Sequence, residues 1–97
     1  MYYVMWYVFT PEGVFIRTGG QVDVCISEEY ARLSLYMHFM DTLKNIGSVY
    51  LGDDVLVRKS SGGNYWDMML ICPVQSSYSI AELEAKVAEI VHGSGHK

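Results

Sequence analysis

Three features of the 97-residue sequence predict an α+β domain built on an antiparallel sheet. Two apolar, aromatic-rich segments near the N-terminus are hinged on Thr10-Pro11-Glu12-Gly13. Two later segments carry helix-start chemistry and helical periodicity. Between these, residues 48–74 (SVYLGDDVLVRKSSGGNYWDMMLICPV) read as three short strands joined by two turns. Strands covered by a few helices give an α+β architecture. The expected order is ββ(β)αβββα: five to six strands, one long helix and a C-terminal helix. Residues 1–92 are expected to form a single domain and 93–97 a disordered tail.

Residues 2–9 (YYVMWYVF) are apolar at almost every position and too short for a confident helix, so they read as a strand buried on both faces. Thr-Pro-Glu-Gly is a turn: Pro presets φ at its first corner and Gly tolerates a positive φ at its end. Residues 14–18 then return as the second strand of a hairpin. Gly19-Gly20 suggests a further turn. In residues 21–26, Val22, Val24 and Ile26 alternate with Gln21, Asp23 and Cys25. That period-two pattern suits a third, half-buried strand and equally an extended connector.

Ser27 followed by Glu28 and Glu29 opens the long helix, with a side-chain oxygen for the orphan amides and carboxylates at the positive end of the dipole. Gly47 closes it. Leu33, Tyr36, Met40 and Leu43 form one apolar stripe. Leu35, Phe39 and Ile46 extend it round the helix, and Ser34, His38, Asp41 and Asn45 leave only a narrow polar strip. An ordinary surface helix buries a narrower face. The breadth of this one implies packing on the sheet with one side and on a second chain with the other; a helix sunk in a monomer's core is the alternative.

In the meander, Asp53-Asp54 breaks the first apolar run and residues 60–64 (SSGGN) the second. The closing helix is announced by a capping box, Ser79 with Glu82, and by a hydrophobic staple, Tyr78 with Leu83. Its apolar stripe is Ile80, Leu83, Val87 and Ile90, and Glu82, Glu84, Lys86 and Glu89 make a solvated, acidic outer face.

Composition narrows the function classes. The chain is 51% hydrophobic and 13% aromatic, more apolar matter than so small a domain readily hides, which again points to a subunit interface. A net charge of −4 with scattered cations leaves no counterion-release footprint for nucleic acid. The longest apolar run, residues 1–9, falls far short of the roughly 20 residues of a membrane span. Cys25 and Cys72 sit in apolar strand-like runs. Two buried thiols in a reducing cytoplasm fit this context, and one disulfide between neighbouring strands is the alternative.

No constellation for chemistry stands out. His38 and Asp41 share a helical face without a nucleophile. His92 and His96 have metal-like spacing in a Gly-Ser tail that offers no further ligands. Asp53-Asp54 is ordinary turn chemistry, and Gly62-Gly63 lacks the Lys-Ser/Thr and helix of a phosphate loop. Neither cysteine has a nearby base in sequence to favour a thiolate. Tyr65 and Trp66 open the last strand as interface anchors or, for at least one, as core. The chain is expected to be no enzyme and to need no cofactor or metal.

The hairpin VMWYVF-TPEG-VFIRT, the long apolar helix over 28–46, the meander with an acidic turn and a Gly-containing turn, and the closing helix AELEAKVAEIV resemble the roadblock/dynein light chain family, within the profilin-like group that includes longin domains. The resemblance covers about residues 4–91. The chain departs from it by opening directly in a strand and by the extra segment 21–26. What the resemblance implies is a non-enzymatic regulatory or scaffold protein, a homodimer or heterodimer formed through the long helix and an adjacent edge strand. Carried onto this sequence, the dimer face is Tyr36, Phe39, Met40, Leu43, Val49, Tyr50 and Leu51. A Ras-like small GTPase is the partner class it implies. Two other classes stay open: a small acidic inhibitor of phage or mobile-element type that blocks a nucleic-acid-handling enzyme, and a sensor holding a small ligand between sheet and helix.

Overall fold

Residues Tyr2–Phe9 form β1, and β1 pairs on both sides. A computed structural model describes residues 1–42, 49–59, 64–75 and 77–93, with the side chains of 42, 49, 92 and 93 outside the description. The elements are β1, β2 (Phe15–Cys25), α1 (Glu28–Thr42), β3 (Val49–Leu51), β4 (Val55–Lys59), β5 (Trp66–Pro73) and α2 (Ile80–Ala88). α2 runs on into one π-helical turn at Glu89–Gly93. The five strands make one antiparallel sheet in the order β2-β1-β5-β4-β3. This is the expected α+β architecture and element order, with five strands.

Residues 21–26 do not make a separate sixth strand. Gly19-Gly20 is not a turn: residues 15–25 run as one strand that pairs with β1 from Phe9↔Phe15 to Tyr2↔Cys25. Eleven residues of β2 lie against eight of β1, so the register shifts three times, and Ile16, Gly19 and Val22 have no partner. Each shift is a bulge of one extra residue. Glycine serves the middle bulge directly. Gly20 has φ +103, and a Cβ on Gly19 would overlap the Trp6 ring that lies against it. The Arg17 guanidinium then sits 5.8 Å from the centroid of that ring. Bulge and turn draw on the same glycine chemistry, which is why the dipeptide alone reads as a turn.

The Thr10–Gly13 turn forms as its residues dictate. Gly13 takes φ +90. Its amide donates to the Thr10 carbonyl at 2.9 Å, the Thr10 amide to the Val14 carbonyl at 2.8 Å, and the Val14 amide to Thr10 Oγ1 at 3.0 Å.

A helix covers each face of the sheet. On one side Ala31 and Leu35 of α1 pack with Val4, Cys25, Leu56, Met69 and Ile71, and Phe39, Leu51 and Trp6 pack against that cluster. On the other side Leu83 and Val87 of α2, with Ile90, pack with Tyr7, Phe9, Val55, Val57, Met68 and Leu70. Strands β4 and β5 are buried on both faces, and they read accordingly as near-continuous apolar runs. β1 is buried on both faces only at its C-terminal end, Tyr7 to Phe9, and is half-buried over most of its first part.

Both helices start as expected. Ser27 Oγ accepts from the Tyr30 amide at 3.2 Å. Ser79 Oγ accepts from the Glu82 amide at 3.1 Å while the Glu82 carboxylate accepts from the Ser79 amide at 2.8 Å, a complete capping box. Tyr78 packs against the cluster that holds Leu83. Ile80 departs from the expected stripe: it is exposed, at the rim of a concavity between the start of α2 and the sheet. Gly47, the expected end of α1, lies outside the described residues, as do Asn45, Ile46, residues 60–63 of the second meander turn, and residues 94–97 of the tail.

Candidate functional site

The sheet dictates which side of α1 faces inward. Ala31 and Leu35 are buried and Ser34, His38 and Phe39 half-buried, so these positions define the inner face. The outer face of a helix docked on a sheet is ordinarily polar. Here it carries Tyr30 (57% exposed), Leu33 (52%), Tyr36 (49%), Met37 (64%) and Met40 (46%). The charged residues that share the helix sit at its start and flank, where Arg32 and Glu28 pair at 3.0 Å in solvent. The apolar surface continues off the helix. Val24 and Ile26, at the end of β2, are exposed and border a groove of about 390 Å³ together with Tyr30, Leu33 and Met37.

The expected interface residues fall into three groups. Tyr36 and Met40 on α1 and Tyr50 on β3 are exposed. Phe39 and Leu51 are half-buried and pack against the α1-side core, with the Tyr36 and Phe39 rings 6.2 Å apart at 37°. Val49 is described by its backbone, which pairs with Arg58, and Leu43 lies outside the described residues. Tyr30, Leu33 and Met37 are absent from the expected interface set, although Tyr30, Leu33, Met37 and Met40 follow the 3-4-3 spacing of a helical seam. That spacing was the available signal.

The sheet has two edges, and they differ. Strand β3 is three apolar residues in unbroken register with β4, closed by a tight turn in which the Gly52 amide donates to the Val55 carbonyl at 2.8 Å. Strand β2 is bulged three times, and Asp23 Oδ1 accepts from the Val24 amide at 2.9 Å, satisfying a backbone donor within the chain. Bulges and edge charges are devices that blunt strand addition. β2 has them and β3 lacks them.

The interior holds one ion pair and two thiols among the described residues. Asp67 is buried and meets Arg58 across the β4–β5 pair, with Arg58 Nε donating to Oδ1 at 2.7 Å. Burial pushes the Asp67 carboxyl up. The Arg58 guanidinium pulls it back toward ionisation, and the Trp6 indole adds a weaker pull at a geometry short of a full hydrogen bond. Cys25 and Cys72 are free, buried thiols on opposite faces of the sheet, separated by β1, which closes the disulfide alternative. Burial raises the pKa of both.

His38 is half-buried and Asp41 exposed on α1. Asp53 and Asp54 occupy the β3–β4 turn, where Asp54 accepts from Lys86 Nζ at 3.5 Å. Tyr65 is exposed, while Trp66 packs on the α2-side core with Lys59 5.7 Å from its ring. No group of three or more potential metal ligands occurs among the described residues. The side chain of His92, all of His96, and Gly62-Gly63 lie outside the description. No helix among the described residues is long and apolar enough to cross a membrane.

The geometry therefore defines a class: an α+β domain with one helix on each face of its sheet, whose most unusual surface is an apolar helix flank. Comparison with protein-family models, curated proteins and solved structures finds no match to this chain.

Proposed function

We propose that this chain is a non-enzymatic interaction module that self-associates through the outer face of α1 and the β3 edge, and regulates or scaffolds a protein partner in the cytoplasm. One observation carries the reading: five large apolar side chains occupy the solvent side of α1, each about half exposed or more. Contiguous apolar patches of this kind mark partner surfaces. A second copy is the first occupant to consider, because an isologous contact buries the same patch twice. The unbulged β3 edge lies where Phe39 of α1 and Leu51 of β3 pack against the same cluster, and among the described residues β3 is an outer strand of the sheet, open to strand addition. The interface takes Tyr30, Leu33, Tyr36, Met37 and Met40 from α1 and Tyr50 from β3, with Phe39 and Leu51 packed beneath them and Leu43 and Val49 added by the resemblance alone. The resemblance to roadblock/dynein light chain proteins supports the same surface and makes a Ras-like GTPase the partner class.

Light scattering on the 11.0 kDa chain tests the proposal. The expected result is the mass of two chains, falling to one in Met40→Glu with a dissociation constant raised about 30-fold or more, as for loss of an interface hot spot. A wild-type protein that stays at single-chain mass as its concentration is raised would sink the dimer.

A further inference from the structure

The face of the sheet opposite α1 holds a feature that self-association does not use. Helix α2 covers only part of this face. Ahead of its N-terminus the sheet surface, the approach to the helix and the exposed Ile80 enclose a concavity of about 330 Å³. Its walls include Tyr3, Tyr7, Phe15, Thr18, Cys72 and Tyr78. The register explains why they converge. Tyr3 lies directly opposite Cys72 on β5, Tyr7 directly opposite Thr18 on β2, and the two tyrosines are four residues apart on one face of β1, with Met5 between them on that face. Tyr78 is then delivered from the chain entering α2.

The chemistry of the lining selects among ligands. No Lys, Arg, Asp or Glu lines the cup among the described residues. Of the carboxylates near it, Asp54 and Glu82 act on Tyr78, Asp54 being paired with Lys86, and the Glu84 carboxylate accepts from the Phe15 amide at 2.7 Å at the rim. With no cation in the lining, the cup offers an anion no counter-charge. Burial raises the Tyr7, Cys72 and Tyr78 pKa values, and these groups raise one another's further: Cys72 and Tyr78 act on Tyr7, and Cys72 on Tyr78. All three hold their protons at neutral pH; the Cys72 thiol donates to the Pro73 carbonyl at 3.4 Å, so the tyrosine hydroxyls of Tyr7 and Tyr78 are the donors the cup offers a ligand. The aromatic rings supply flat apolar walls, so the cup combines an apolar body with a few convergent polar groups, as small-molecule sites do.

We infer that this cup binds a small, uncharged, flat aromatic molecule that carries a hydrogen-bond acceptor, seated between β1 and the start of α2. The site is separate from the α1 face, so a ligand here and a partner there are compatible.

The test is an NMR titration of the isotope-labelled full chain with quinolin-2-one, a neutral bicycle with one carbonyl acceptor, against 2-naphthoate, an anion of similar size. Quinolin-2-one should give saturable shifts at Tyr3, Phe15 and Ile80 with a dissociation constant on the order of 0.1–1 mM, the range for so few atoms. 2-Naphthoate should bind at least about tenfold more weakly. Tyr78→Phe keeps the ring and removes one donor, and should weaken quinolin-2-one about three- to tenfold. Thr18→Trp should fill the cup and abolish binding. Tyr65→Phe, on an exposed tyrosine elsewhere, should change nothing. Absence of saturable shifts in the wild-type protein, equal binding of the anion, or an unchanged affinity in Tyr78→Phe would each overturn the inference.

Discussion

Helices α1 and α2 lie on opposite faces of one sheet, and they meet solvent in opposite ways. α2 is the ordinary case. It buries Leu83 and Val87, and turns Glu82, Ala85 and Glu89 outward. α1 buries Ala31 and Leu35 on its inner side and then repeats the apolar pattern outward through Tyr30, Leu33, Tyr36, Met37 and Met40. The inner faces do the same work, joining a helix to a sheet by apolar burial. The difference lies wholly in the outer faces. It teaches that an apolar helix in a small domain can satisfy the monomer's core with only half its apolar residues, leaving the rest for contact with another molecule.

The sharpest way to break this comparison is to put the same charge on each outer face. Met40→Glu is expected to halve the mass in solution, whereas Ala85→Glu should leave mass unchanged and stability within about 0.5 kcal/mol. If both variants behave alike, the outer face of α1 has no special role.

Truncation on the inner faces should erase the contrast. Leu35→Ala and Leu83→Ala each remove a buried leucine from one side of the sheet. Each is expected to cost about 2–5 kcal/mol in urea unfolding, the range for cavities left by such a change. A much smaller loss at Leu35 would mean that α1 is held to the sheet less firmly than α2.

A smaller effect distinguishes the helix starts. Ser79 belongs to a reciprocal capping box and Ser27 makes a single side-chain cap. Ser79→Ala should lower stability by about 1 kcal/mol and Ser27→Ala by about 0.5 kcal/mol. Equal costs would show that the reciprocal bond from Glu82 adds nothing.

Rising pH offers one further comparison, between the two faces of the sheet. Tyr7, Tyr78 and Cys72 on the α2 side have pKa values raised above their ordinary 10.0, 10.0 and 9.0, and Cys25 on the α1 side is raised above 9.0. The folded protein therefore keeps protons that the unfolded chain releases. Their contribution to stability is fully present below those ordinary values and is lost as pH climbs through the raised ones. Denaturant midpoints are expected to fall above about pH 9, and Tyr78→Phe should flatten the fall.

Much of this architecture was legible from residues close together in the chain. The Thr10–Gly13 turn, the Ser79–Glu82 box and the Asp53–Asp54 break in the meander each depend on side chains a few positions apart, and each announces itself. Gly19-Gly20 misled for a physical reason: a bulge that lets Trp6 lie against the backbone needs the same missing Cβ as a turn. Ile80 misled because a helical stripe says which positions align but not how closely each turn of the helix approaches the sheet. The outer face of α1 was half legible. Leu33, Tyr36 and Met40 stood out as a stripe, but Tyr30 and Met37 did not, since two overlapping stripes on one helix blur each other. The tyrosine cup was illegible, because Tyr3, Thr18, Cys72 and Tyr78 meet only through strand register.

The sequence by itself determined the kinds of element and their order, because turn, cap and periodicity signals are short-range and act before any long-range contact forms. The tertiary structure alone decided the order β2-β1-β5-β4-β3, which pairs Tyr2 with Pro73 and makes β2 and β3 the edges. It also decided which apolar side of α1 turns inward. Periodicity places residues on a common face but carries no direction. Docking of Ala31 and Leu35 against Val4, Leu56 and Met69 supplies that direction and leaves Met37 and Met40 facing out.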